Sequence, residues 1–106
     1  VTNYRVTVSA QALRDAREAV FYKQGLGVYP ENLAAFKKDL ADFVKQLELS
    51  PKVGSNLSAR IPQQTAIKYR VIQDYILFYE IAGQEVYVLR LLPAKSDWMQ
   101  TILKEL

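Results

Sequence analysis

Between Leu33 and Leu47 the chain places apolar residues at intervals of three and four: Leu33, Phe36, Leu40, Phe43, Val44 and Leu47. Lys37, Lys38, Asp39, Asp42, Lys45 and Glu48 fill the opposite face. This spacing gathers the apolar side chains into one stripe and predicts an amphipathic helix of about 18 residues. Pro30 is suited to the first helical position, and Ser50-Pro51 closes the helix because Pro51 cannot extend it. A helix with one apolar face needs a surface to cover, and the rest of the chain must supply it. The whole chain has 106 residues, enough for one core, so a single domain over residues 1–106 is expected.

The surface is legible in alternating runs. Tyr4, Val6 and Val8 alternate with Arg5 and Thr7, which predicts a strand with one buried face. Ser9 is a good cap for a helix over Ala10–Lys23, with Leu13, Ala16, Val20 and Phe21 as its expected inner stripe. Gly25-Leu26-Gly27 stops that helix and turns the chain into the second one. Lys52 to Thr65 reads as loop. Three strands are then expected over Ala66–Ile72, Tyr75–Ile81 and Glu85–Leu92, joined by hairpin turns at Gln73-Asp74 and Ala82-Gly83-Gln84. Tyr75, Tyr79 and Tyr87 read as sheet packing. Ser96 is placed to cap a short terminal helix in which Trp98, Ile102 and Leu106 line up. The expected fold is α+β: a helical hairpin packed on one face of a small antiparallel sheet, in the order β-α-α-β-β-β with a short C-terminal helix. The other sheet face is expected to stay open.

Composition removes whole classes of chemistry. The chain has no Cys and no His, which excludes disulfides, thiolate zinc sites and every catalytic arrangement built on imidazole or thiol. No carboxylate pair has metal-ligand spacing, and neither a metal nor a cofactor is expected. No run approaches the length of a membrane span and no charged-then-apolar leader opens the chain, so the cytoplasm is the expected compartment. The net charge of +3 is mild, but its distribution is uneven. The 25 residues from Leu49 to Gln73 contain no carboxylate and carry Lys52, Arg60, Lys68 and Arg70. Such a strip suits phosphates or an acidic protein.

Several strings, taken in order, resemble the RelE/ParE toxin family. They are Lys52-Val53-Gly54, Asn56-Leu57-Ser58, Lys68-Tyr69-Arg70-Val71, Asp74 through Ile81, Glu85 through Leu92, and the later Asp97-Trp98. The opening Tyr4 through Ser9 and the pair Ala12 and Asp15 agree with it. The resemblance covers almost the whole chain. It implies the toxin half of a bacterial type II toxin–antitoxin system, held in a hetero-oligomer with its cognate antitoxin. It offers two targets: the ribosome and its mRNA for RelE-type members, DNA gyrase for ParE-type members.

For the RelE-type reading, ribosome-dependent mRNA cleavage, the resemblance assigns catalysis to Lys68, Arg70, Arg90 and Lys95, and RNA binding to Lys52, Arg60 and Trp98. Lys68 and Arg70 lie two apart on one strand and so share a face, placed to clamp phosphates. Trp98 is placed to stack on a base. The chain also departs from the RelE pattern. Pro93 stands where many relatives have His, Lys95 where many have Arg, Trp98 where many have Tyr, and Ile76 where RelE carries an Arg. These exchanges leave few groups for proton transfer. They keep two alternatives open: gyrase inhibition without nuclease activity, and a decayed toxin that only binds its antitoxin. Arg90 has a structural reading too, as the partner of Glu80 or another sheet carboxylate.

Overall fold

The computed structural model describes residues 3–106. Strand β1 (Arg5–Val8) leads into helices α1 (Ala10–Gly25) and α2 (Pro30–Gln46). The short strand β2 (Ser55–Asn56) follows, set between two 3-10 turns, Pro51–Val53 and Leu57–Ala59. Strands β3 (Lys68–Ile72), β4 (Tyr75–Ala82) and β5 (Glu85–Pro93) come next, and helix α3 (Trp98–Leu103) ends the fold. The strands make one sheet in the order β1-β5-β4-β3-β2. Neighbours from β2 to β5 run antiparallel, whereas β1 lies parallel to β5.

The expected α+β order is present, but the sheet has five strands and is mixed. Everything from α1 to β4 lies between β1 and β5 in the chain, so their parallel pairing has the long connection it requires. Strand β2 has two residues inside the segment expected to be loop, too few to leave an alternating pattern. Local signals act as anticipated at three points. Ser9 Oγ accepts the Ala12 N–H at 3.0 Å and caps α1. Pro30 is the first residue of α2, where its missing N–H costs nothing. Gly83 turns β4 into β5 at φ +62°, a conformation that a Cβ would strain.

On one sheet face α2 delivers Phe36, Phe43 and Leu47 into a core with Tyr75, Leu77, Tyr79, Val86, Val88 and Leu91. Phe36 meets Tyr75 at 5.3 Å between ring centres, and Phe43 meets Tyr79 edge-on at 5.8 Å. Helix α1 is rotated from its expected setting. Its buried residues are Ala12, Asp15, Ala19 and Lys23, while Leu13 and Phe21 are exposed. The two alanines let the α1 backbone approach β5, which larger side chains would hold off. Lys23 is buried because its ammonium meets the Asp74 carboxylate at 2.8 Å and lies over the Phe36 ring.

The far sheet face is covered, contrary to the expectation that it stays open. Leu57, Ile61 and Ile67 from the long connection join Trp98 and Ile102 of α3 over Ile76, Phe78 and Leu92. Trp98 packs on Phe78 at 5.6 Å and is 8% exposed. Ser96 does not cap α3; its hydroxyl donates to the Pro93 carbonyl at 2.6 Å, and Asp97 occupies the cap position. Tyr75 and Tyr79 are buried in the sheet as expected, whereas Tyr87 is on the exposed side of β5.

Candidate functional site

Arg90 lies where β5 runs past the end of β1 and loses its parallel neighbour. Side chains of α1 take over that edge. Ser9 Oγ donates to the Leu89 carbonyl at 3.0 Å, and Asp15 Oδ2 accepts the Leu91 N–H at 3.0 Å. Arg90 completes the joint, donating from Nε to Asp15 at 2.8 Å and from Nη1 to Glu105 at 3.2 Å. The Asp15 hydrogen bond holds the guanidinium firmly protonated, above the ordinary arginine value, against the opposing effect of burial. The carboxylates that pair with Arg90 are therefore Asp15 and Glu105, and not Glu80.

The register places Lys68 opposite Tyr79 and Arg70 opposite Leu77, so both cations project from the face that carries α1 and α2. They share that face, as their spacing requires, and differ in setting. Lys68 donates to Asn56 Oδ1 at 2.8 Å and, more weakly, to the Gly54 carbonyl at 3.4 Å. Arg70 stands over the Phe43 ring at 5.1 Å and has no hydrogen-bonded or ionic partner among the described residues.

Arg60 belongs to the far face, where its guanidinium lies over Tyr69 at 5.8 Å and Trp98 at 5.9 Å. The fold thus brings Arg60 and Trp98 together and separates them from Lys68 and Arg70 by the thickness of the sheet. Lys52 is exposed on the first 3-10 turn, and Lys95 is exposed in the turn before α3. Among the described residues no group of three or more His, Cys, Asp or Glu is placed to hold a metal ion. No helix there is long and apolar enough to cross a membrane.

A further concavity has a lining that the sequence patterns do not announce. A groove of about 830 Å³ runs between α1 and α2, with Leu77, Val88 and Leu91 as its floor. Leu13, Ala16 and Val20 form one wall, and Leu40, Ala41 and Val44 form the other. Arg17, Lys37 and Lys45 stand on the rim with a single carboxylate, Glu48. Its signal in the sequence was a surplus on α1. Leu13, Val20 and Phe21 exceed what one buried stripe can absorb once Ala12 and Ala19 face the sheet.

Comparison with known proteins agrees with this architecture. The chain matches, over residues 6–98, the family described as the ParE toxin of the type II toxin–antitoxin system parDE. Its fold is similar to a chain from the chromosomal ParDE toxin–antitoxin system of P. aeruginosa, with TM-score 0.67 and 16% identity, covering 87% of this chain and 97% of that one. It is also similar to a chain of the toxin–antitoxin complex RelBE2 from Mycobacterium tuberculosis, with TM-score 0.58 and 22% identity, covering 87% and 99%. No curated protein matches it in sequence. With 93 consecutive residues matched, the chain belongs to the ParE toxin family of type II toxin–antitoxin systems.

Proposed function

We propose that this toxin arrests growth by binding a protein target, DNA gyrase in the ParE-type manner, without cutting RNA. The observation that carries this reading is the dispersal of the cations that cleavage would need. Arg90 is 15% exposed and held by two carboxylates, Lys68 is held by Asn56, and Arg60 lies across the sheet. RNA cleavage requires charge stabilisation, a base and an acid converging on one phosphate. With no His in the chain and an indole, which has no acidic proton, at Trp98, little remains to move protons.

The antitoxin is proposed to occupy the α1–α2 groove. The apolar walls and cationic rim suit an amphipathic helix with acidic flanks, one that folds as it binds. Helix α1 has 16 residues, so the groove offers room for about four helical turns.

The second reading is RelE-type mRNA cleavage by Lys68, Arg70, Arg90 and Lys95, with Lys52, Arg60 and Trp98 on the RNA. The exposed Arg60 guanidinium, seated over the Tyr69 and Trp98 rings at 5.8 and 5.9 Å, favours it, since such a plane can stack on a base. Mapping of message ends in cells induced for the chain alone separates the readings. Intact messages in growth-arrested cells support the protein target. New ends that vanish in Lys68→Ala and Lys95→Ala support cleavage.

A further inference from the structure

Helix α2 has a second flank, turned away from the groove. There Asp39, Asp42, Phe43 and Gln46 meet Arg70 and Gln73 around a pocket of about 280 Å³. We propose that this pocket docks a protein segment presenting a carboxylate beside a base. The site goes beyond the groove and the target reading, and it stands on the charges within it.

Arg70 supplies the anion-binding half. Its guanidinium is exposed, seated on the Phe43 ring, and unpaired among the described residues. A ring beneath a guanidinium fixes its plane while leaving its edge donors free, the geometry in which Arg grips a carboxylate through two N–H groups. Gln46 adds an amide on the same wall, also without a hydrogen-bond partner among the described residues.

The other half is acidic and organised. Asp39 accepts from Gln73 Nε2 at 2.8 Å, and Asp42 pairs with Lys38 at 2.6 Å. Each carboxylate keeps acceptor capacity after those bonds. Gln73 has φ 56°, as the two-residue turn between β3 and β4 requires, and that turn presents its side chain to Asp39. Two carboxylates beside Arg70 discriminate between partners. A nucleic-acid strand brings a row of phosphates, all repelled by Asp39 and Asp42. A polypeptide with one acid and one base satisfies both halves. The volume agrees, since it is below that of most drug-sized ligand sites and holds one or two side chains.

The test uses the whole chain of residues 1–106 labelled with ¹⁵N and the Arg Nε–H resonance of Arg70, assigned by its loss in Arg70→Gln. Capped dipeptides Glu-Lys, Glu-Gln and Gln-Lys, inorganic phosphate and a short oligouridylate are titrated separately. Glu-Lys is expected to shift Arg70 saturably and to bind roughly threefold tighter than either single-charge dipeptide, the scale of one exposed ion pair. Asp42→Asn should erase the advantage of Glu-Lys over Glu-Gln while the backbone spectrum stays that of the parent. A larger response to oligouridylate or phosphate than to Glu-Lys overturns the proposal in favour of a phosphate site. Absence of a saturable shift with every probe overturns it outright.

Discussion

Arg90 donates to Asp15 at 2.8 Å across 75 positions of sequence, and the same carboxylate accepts the Leu91 N–H at 3.0 Å. One residue of α1 thereby fixes both a side chain and a backbone group of β5. Glu105, just beyond α3, reaches the same guanidinium. Three elements meet at Arg90, and its role follows from that junction.

Arg90→Ala strands the Asp15 side chain, which is 5% exposed, without its cation. Removing one partner of a buried pair costs about 3 kcal/mol or more, so denaturant unfolding should show a loss of that size. Asp15→Ala should cost a similar amount, and the double variant less than the sum. Loss of toxicity in Arg90→Ala should track the loss of fold. An Arg90→Ala chain of parental stability that had lost toxicity would instead assign Arg90 to chemistry.

Gly54→Ala tests a close approach. A Cβ at Gly54 would overlap the Tyr79 hydroxyl and sit 2.9 Å from the Tyr69 carbonyl oxygen. Neither neighbour is the loose end of a flexible chain: Tyr79 donates to the Pro51 carbonyl at 2.7 Å and accepts the Gly54 N–H at 2.8 Å. Overpacking of this kind costs about 1–3 kcal/mol, readable as a lowered melting temperature. A melting temperature equal to the parent's would contradict the packing described.

Burial holds the Tyr79 hydroxyl above its ordinary value of 10.0, and the Gly54 hydrogen bond and Arg70 only partly oppose it. The unfolded chain releases that proton first. The stabilisation is therefore complete below pH 10.0 and is lost as pH rises from there toward the folded value. Tyr75, also raised mainly by burial, adds to the same fall. Tyr79→Phe should begin less stable by about 1 kcal/mol through its lost hydrogen bonds, and should lose less on going to alkaline pH. Denaturation curves at neutral and alkaline pH compare the two slopes.

Leu13→Glu tests the groove. Leu13 is 46% exposed, so the substitution leaves the core intact while placing a charge on an apolar wall. Calorimetry with the cognate antitoxin should show at least about tenfold weaker binding, with the melting temperature unchanged. Equal affinity for both chains would move the antitoxin elsewhere.

What the sequence made legible depended on how each element announces itself. The stripe from Leu33 to Leu47 marked α2 because large residues recur on one face only, and Leu33, Phe36, Phe43 and Leu47 are indeed buried. Helix α1 sits one position away from the setting its large apolar residues predict, since close packing on β5 favours Ala12 and Ala19, which carry little weight in a hydrophobic pattern. Asp15 falls in that same buried stripe, and a carboxylate there signals a cation waiting from another element. Its partner Arg90 was visible, but the pairing was not, because nothing local links α1 to the end of β5. The cover over the far sheet face was hidden for a related reason. Leu57, Ile61 and Ile67 lie in an irregular stretch without periodicity, yet all three are buried. The expected cations are spread because only Lys68 and Arg70 share a strand and hence a face, whereas the irregular connection before β3 carries Arg60 to the other side of the sheet.

The most direct measurement is a supercoiling assay with purified gyrase and the purified toxin, titrated with and without antitoxin. Dose-dependent inhibition, reversed by the antitoxin and retained in Lys68→Ala, is the result this account predicts. Full supercoiling at every dose from a chain that still arrests growth would contradict it.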